Sequence, residues 1–137
     1  MYIFDANVFL NYFRKSENTL EKVENFIQML LNGSIKVLTP DLCFYEVIYN
    51  LKKKEVINKK IINLLDEFLQ LDNLIIYKLD AKEYKNILSI SIEHNISTYD
   101  WVYVYLHNLF SKQKIITLDK RLFNSINDSK NIIYIGK

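Results

Sequence analysis

Short β-branched or aromatic runs alternate along this chain with longer segments of helical periodicity, and that alternation predicts a parallel β-sheet covered by helices on both faces. The strand candidates are residues 2–4, 35–38, 74–77, 114–118 and 132–134. Residues 6–13 and 19–31 read as helices. In the second of these Leu20, Val23, Ile27 and Leu30 recur at helical spacing, and Gly33 ends the element. Thr39 followed by Pro40 gives an N-cap and first-turn signal for a helix running to about Lys53, and Asp41 favours the same positive end. Residues 56–71, 80–94 and 98–110 complete the helices, the last behind a Ser97-Thr98 cap. The basic run Lys52-Lys53-Lys54, with Lys59-Lys60 beyond it, marks an exposed turn between two helices. The class is α/β.

Composition narrows this picture. With 137 residues, 50% of them hydrophobic and 14% aromatic, the chain fills one substantial core and is too short to argue for two, so residues 1–137 are read as a single domain. A net charge of +2 means that any nucleic-acid binding comes from a local patch rather than from the protein as a whole. The lone Cys43 lies on the apolar face of a predicted helix and is expected to be a buried thiol, which fits a reducing cytoplasm. No apolar run approaches the roughly 20 residues of a membrane span. The start from Met1 to Asp5 lacks a basic region before its apolar stretch, so the expectation is a cytoplasmic protein that meets no membrane.

Candidate chemistry comes from four carboxylates set in or beside apolar segments. Asp5 closes Tyr2-Ile3-Phe4, Glu46 interrupts Leu42-Cys43-Phe44-Tyr45 before Val47-Ile48, Asp100 precedes Trp101, and Asp119 closes Ile115-Ile116-Thr117-Leu118. Unpaired buried carboxylates neutralise or find a cation. In an open parallel sheet, ligands bind at the carboxyl ends of the strands, where Asp5 and Asp119 both fall. If all four acids meet there, they build an all-oxygen pocket suited to Mg²⁺ or Mn²⁺ rather than to zinc. Asp5 and Asp119 taken singly also read as helix caps. Glu46 is set apart because, of its helical neighbours Leu42, Cys43, Tyr49 and Asn50, only the last is strongly polar. Asp66, Glu67, Asp72, Glu83 and Glu93 stand among polar neighbours and read as solvated charges.

The segments Phe4-Asp5-Ala6-Asn7-Val8-Phe9-Leu10, the helix glutamate Glu46, Thr98-Tyr99-Asp100 and Ile116-Thr117-Leu118-Asp119-Lys120-Arg121-Leu122 together resemble the PIN domain family of nucleases, in order and approximate spacing from end to end. Length and the early first aspartate are closest to VapC-type toxins of toxin-antitoxin pairs. The resemblance implies a three-layer α/β/α fold and a Mg²⁺- or Mn²⁺-dependent endoribonuclease that hydrolyses RNA by metal-activated water. Asp5, Glu46, Asp100 and Asp119 would be its catalytic and metal-holding acids, with Asn7 and Thr117 as supporting polar groups. It further implies a homodimer and an inhibitory antitoxin. Arg14-Lys15 and Lys120-Arg121 are candidates for holding the RNA backbone, solvated surface charge being the alternative.

One departure stands out. The helix after the third acid usually carries small residues in that family, beginning with an alanine, whereas here Trp101, Tyr103, Tyr105 and His107 are bulky. With Tyr99/Tyr103 and Trp101/Tyr105 at i,i+4, this helix is apolar nearly all round and is expected to be central or at an interface, with base stacking as the alternative. His107 falls on the Asp100 face and is expected to be a structural histidine; His94 is distant in sequence, so no zinc-like cluster forms. Two other functions compete. A phosphotransfer domain also places aspartates at strand ends, but Asp5-Ala6-Asn7 lacks the second acid of a dehalogenase-type pair and no acid adjoins Asp5. A PIN-like scaffold that binds RNA or protein without cutting would not need all four acids.

Overall fold

A computed structural model describes residues 1–14, 19–53, 58–94, 97–110, 113–125 and 130–137. Its strands are β1 (Tyr2–Phe4), β2 (Val37–Pro40), β3 (Leu74–Tyr77), β4 (Lys114–Thr117) and β5 (Ile132–Tyr134). The helices among the described residues are α1 (Ala6–Arg14), α2 (Glu21–Leu31), α3 (Asp41–Lys53), α4 (Lys59–Leu69), α5 (Ala81–His94), α6 (Thr98–Leu109) and α7 (Lys120–Ser125). The strands form one sheet in the order β3-β2-β1-β4-β5, with every neighbouring pair parallel. This is the expected α/β/α sandwich.

The order of strands carries the functional consequence. From β1 the chain steps outward to β2 and β3, then returns to lay β4 on the other side of β1. Right-handed crossovers then place α1 to α4 on one face and α5 to α7 on the other. The direction of winding reverses between β1 and β4, which makes their carboxyl ends the crevice where open α/β sheets bind ligands. Both strands are clothed on both sides, so Ile3, Phe4, Ile115, Ile116 and Thr117 are buried. Over one face, Phe68 of α4 meets the α1 rings of Phe9 and Phe13 edge-on, at 6.1 and 5.3 Å between centroids. A second cluster joins Ile87 of α5, Trp101, Val102 and Val104 of α6, and Leu122 of α7.

Most strand and helix ends fall within two residues of the limits their local signals predict. Gly33 adopts φ +80° just past α2; its amide bonds Leu30 O at 3.2 Å and the Ser34 amide bonds Met29 O at 3.0 Å, the paired bonds of a Schellman stop. Strands β3 and β5 match their expected limits. The second strand and third helix are a correction: Thr39 and Pro40 end β2 rather than starting α3, and Pro40 pairs with Tyr77. Proline disfavours helical backbone in the residue before it, and the Thr39 hydroxyl, instead of capping, donates to Phe4 O at 3.2 Å. Helix α2 begins at Glu21 rather than 19. In α4 the cap is Asn58, whose side chain accepts the Ile61 amide at 3.0 Å; of the expected start, residues 56 and 57 lie outside the described residues, as does Lys54. Ser97 holds the N-cap position of α6 without a side-chain capping bond. Helix α7, absent from the helices that periodicity predicts, is signalled in the sequence only by Asp119 as a helix cap.

Candidate active site

The four acids reach the switch-point crevice from four different elements. Asp5 follows β1 and leads into α1; Asp119 follows β4 and leads into α7; Glu46 lies in the second turn of α3 and Asp100 in the first turn of α6. Their charges act on one another. Burial raises Asp5, Glu46 and Asp100 most, and to it Asp100 and Asp119 add for Asp5, Asp5 and Asp100 for Glu46, and Asp119 for Asp100.

Thr117 joins the two strand ends. It is fully buried as the last residue of β4, and its hydroxyl donates to Asp5 Oδ2 at 2.8 Å while accepting the Asp119 amide at 2.9 Å. Asn7, the second residue of α1, points its amide at the same Asp5 oxygen at 3.5 Å. Tyr103 of α6, also buried, accepts the Ala6 amide at 3.3 Å and so ties α6 to the start of α1.

Burial without enough donors leaves the acids under-compensated. Burial is the largest influence on Asp5; the Thr117 hydrogen bond opposes it, the charges of Asp100 and Asp119 add to it, and the carboxyl is pushed up to about 6. Glu46 is pushed up to about 7, first by burial and then by Asp5 and Asp100. Asp100 is raised by burial and by Asp119, against the pull of Arg121. One carboxylate oxygen of Glu46, Oε1, is buried with no hydrogen-bond partner, a deficit worth about 1–3 kcal/mol or more for a charged group. A hard divalent cation would remedy this shortage of positive charge, and all-oxygen donors suit Mg²⁺ or Mn²⁺. As the side chains stand, no three carboxylate, imidazole or thiol groups among the described residues are close enough to ligate one ion, so the acids share a field rather than a closed cage.

Asp119 fills its ordinary role as well. Its Oδ1 accepts the amides of Arg121 at 2.8 Å and Leu122 at 3.4 Å, capping α7, and lies 3.8 Å from Arg121 Nε. Beside it runs a groove of about 400 Å³ whose lining includes Asn7, Asn11, Arg14, Asp119, Lys120 and Arg121. Three of the cations singled out from sequence thus share one groove with two of the candidate site residues, and Arg14 Nε is buried there without a partner. Lys15 lies outside the described residues.

Other expectations sort clearly. Cys43 is a buried free thiol, its pKa driven far up by burial. His107 is buried, with Nδ1 2.6 Å from Gln113 O, and serves structure. Helix α6 is central: Trp101 to Val104, Leu106 and His107 are buried, and it packs on β1, β2 and β4, so its body is not free to be an interface. Two readings need correction. Tyr49, counted among the apolar neighbours of Glu46, is exposed, and Glu46 stands half-buried at the border between the buried stripe of α3 and its open face. Glu83 is not a solvated charge: it accepts hydrogen bonds from Tyr77 and Tyr105, at 2.5 and 2.7 Å, and closes a capping box with Asp80. The Asp80-x-x-Glu83 spacing carried that second signal in the sequence.

An all-parallel open sheet whose strand order reverses between β1 and β4 defines an α/β protein with its ligand crevice at that switch point. Residues 2–128 match the model of the PIN domain, and the chain belongs to that family. No curated protein matches by sequence. Among solved structures, a toxin-antitoxin complex from Klebsiella pneumoniae is similar over 100% of this chain and 99% of its own, with a TM-score of 0.68 at 12% identity. A protein of Pyrobaculum aerophilum is similar over 98% of this chain and 88% of its own, with a TM-score of 0.64 at 14% identity. VapBC2 from Rickettsia felis, bound to a DNA fragment from its promoter, is similar over 99% of this chain and 98% of its own, with a TM-score of 0.57 at 16% identity.

Proposed function

We propose that this chain is a Mg²⁺- or Mn²⁺-dependent endoribonuclease, the toxin of a type II toxin-antitoxin pair. The observation that carries the reading is the set of four acids at the switch point, each facing the charge of at least two others, with a buried Glu46 oxygen that no protein group satisfies. Membership of a family of nucleases supports it, as does similarity in fold to proteins of toxin-antitoxin complexes. Asp5, Glu46, Asp100 and Asp119 are the residues that would hold the metal, which when bound supplies an activated water and charge neutralisation at the phosphate. The protein's own part is positioning. Thr117 fixes the Asp5 carboxylate and the Asp119 backbone to each other, and Asn7 orients the same Asp5 oxygen. Arg14, Lys120 and Arg121 hold the RNA backbone along the groove beside Asp119.

Partners follow from the same reading. An antitoxin would inhibit by placing a basic side chain among the acids, where a cation relieves like-charge repulsion. A homodimer cannot use the buried body of α6; the exposed stripe Tyr84, Leu88 and Ile92 on α5, at i, i+4 and i+8, supports that interface instead. No helix among the described residues is long and apolar enough to cross a membrane, which is compatible with a cytoplasmic site of action. Incubation of the purified chain with labelled RNA, with Mn²⁺ or with chelator, tests the reading. Metal-dependent cutting is expected. Binding without cutting in either condition would favour a non-catalytic scaffold and overturn it.

A further inference from the structure

Two buried hydroxyls hold the backbone on either side of Asp5. The Thr39 hydroxyl at the end of β2 donates to Phe4 O at 3.2 Å, in the peptide before Asp5. The Tyr103 hydroxyl of α6 accepts the Ala6 amide at 3.3 Å, in the peptide after it. Cys43 of α3 lies between them, its thiol hydrogen-bonded with both hydroxyls. Thr39, Cys43 and Tyr103 are at most 1% exposed, so each depends on the others for its hydrogen bonds. Donation can run one way throughout, from the Ala6 amide to Tyr103, then to Cys43, then to Thr39 and finally to Phe4 O, an order in which each bond strengthens the next. The relay begins and ends on the two residues that flank Asp5.

We propose that Tyr103 is a positioning residue for the acidic site, the hub through which this buried relay fixes Asp5, Glu46 and Asp100 relative to one another. Its role rests on the metal-dependent nuclease reading and adds to it a residue that would touch neither metal nor RNA. Helical spacing makes the connection. Positions three apart share a helix face, so Cys43 lies on the face of α3 that carries Glu46, and Tyr103 on the face of α6 that carries Asp100. Three of the four acids are thus one helical turn or one peptide bond from the relay, while Thr117 ties in Asp119 separately. Like charges in the crevice push these elements apart, and hydrogen bonds beneath the carboxylates oppose that push. A misplacement of about 1 Å at a reacting group can cost about 100-fold in rate, so the junction of α1 with α6 must be held closely. The Tyr103 ring fills the core with or without its oxygen, and only the hydroxyl reaches Ala6. Packing and positioning are therefore separable by removing one atom.

Tyr103→Phe removes that atom, and Tyr105→Phe makes the same change two residues along α6, where the hydroxyl serves Glu83 instead. Mn²⁺ affinity by calorimetric titration, and kcat and KM for RNA cleavage, are measured for both. Tyr103→Phe is expected to bind Mn²⁺ about 10- to 100-fold more weakly than wild type and to lose a similar factor in kcat, the range usual for groups that orient metal-holding side chains. Its KM for RNA should hold, because Arg14, Lys120 and Arg121 are untouched. Tyr105→Phe should match wild type in all three. Thr39→Val, which breaks the far end of the relay and keeps the side chain's shape, should show the same split to a lesser degree, and it carries the test if Tyr103→Phe does not fold. A melting temperature lowered in Tyr103→Phe with Mn²⁺ affinity and kcat unchanged would reduce Tyr103 to packing and overturn the positioning role, as would equal losses in Tyr105→Phe. Wild type that binds Mn²⁺ but leaves RNA intact would fail the nuclease reading, and the Mn²⁺ titrations would then decide the role of Tyr103 by themselves.

Discussion

At the carboxyl end of β3, Glu83 accepts hydrogen bonds from Tyr77, Tyr105 and the Asp80 amide at 2.5, 2.7 and 2.8 Å, whereas the half-buried Glu46 has a buried oxygen with no partner. Burial pushes the pKa of both upward. For Glu83 the hydrogen bonds from Tyr77, the Asp80 amide and Tyr105 outweigh it and hold the carboxyl below its ordinary value, while Glu46 faces Asp5 and Asp100 and is pushed up to about 7. The same residue type on the same edge of the sheet is thus satisfied in one place and left wanting in the other. A satisfied carboxylate holds structure together. An unsatisfied one is kept at a cost in stability, and such costs are found where a ligand settles them.

Breaking each cluster should therefore give opposite results. The largest effect is on activity: Asp5→Asn or Asp100→Asn should lower RNA cleavage by orders of magnitude with the fold retained by circular dichroism, whereas Glu83→Ala should cut at nearly the wild-type rate. The next effect is thermal. A ligand at a hundred times its dissociation constant stabilises by roughly 2.7 kcal/mol, so saturating Mn²⁺ should raise the melting temperature by several degrees to about 10 °C, read by calorimetry. The gain should persist in Glu83→Ala and shrink in Asp100→Asn.

Acidity sharpens the contrast further. The folded pKa of Asp5, about 6, lies above the ordinary aspartate value near 3.8, so the folded state binds more protons than the unfolded state between those limits and stability falls as pH rises through them. Glu46 acts in the same direction up to about 7. The penalty from Asp5 alone is about 3 kcal/mol when complete. In chelator the melting temperature should then be higher near pH 5 than near pH 8, and Mn²⁺ should reduce that difference; a higher melting temperature at pH 8 in chelator would deny that these acids dominate. Smallest is the structural cluster: loss of the capping box in Glu83→Ala should cost about 1 kcal/mol, with or without metal.

The sequence made the ends of this comparison unequally visible. Asp5 and Asp119 were legible because each closes a short apolar run, which a parallel sheet turns into adjacent positions once the strand order reverses. Glu46 was singled out partly for the wrong reason, since Tyr49 faces solvent; what distinguishes it is a missing donor, and absences of that kind belong to tertiary structure. Thr39-Pro40 is ambiguous in sequence because a proline with fixed φ and no amide proton suits a strand end as well as a first helical turn, and only the neighbouring strands decide. Helix α7 is too short to show periodicity, though Asp119 carried its cap. Glu83 announced its capping box through Asp80, but its second tyrosine donor lies 22 residues away on another helix.

The central claim is that the four coupled acids, and not the satisfied Glu83 cluster, take up a divalent cation. Calorimetric titration of Mn²⁺ into wild type, Asp5→Asn, Asp100→Asn and Glu83→Gln tests it directly. Binding by wild type and Glu83→Gln, weakened at least about tenfold in the two aspartate variants, is the result expected from losing a ligand's charge. Equal Mn²⁺ affinity in all four proteins, or a loss confined to Glu83→Gln, would contradict it.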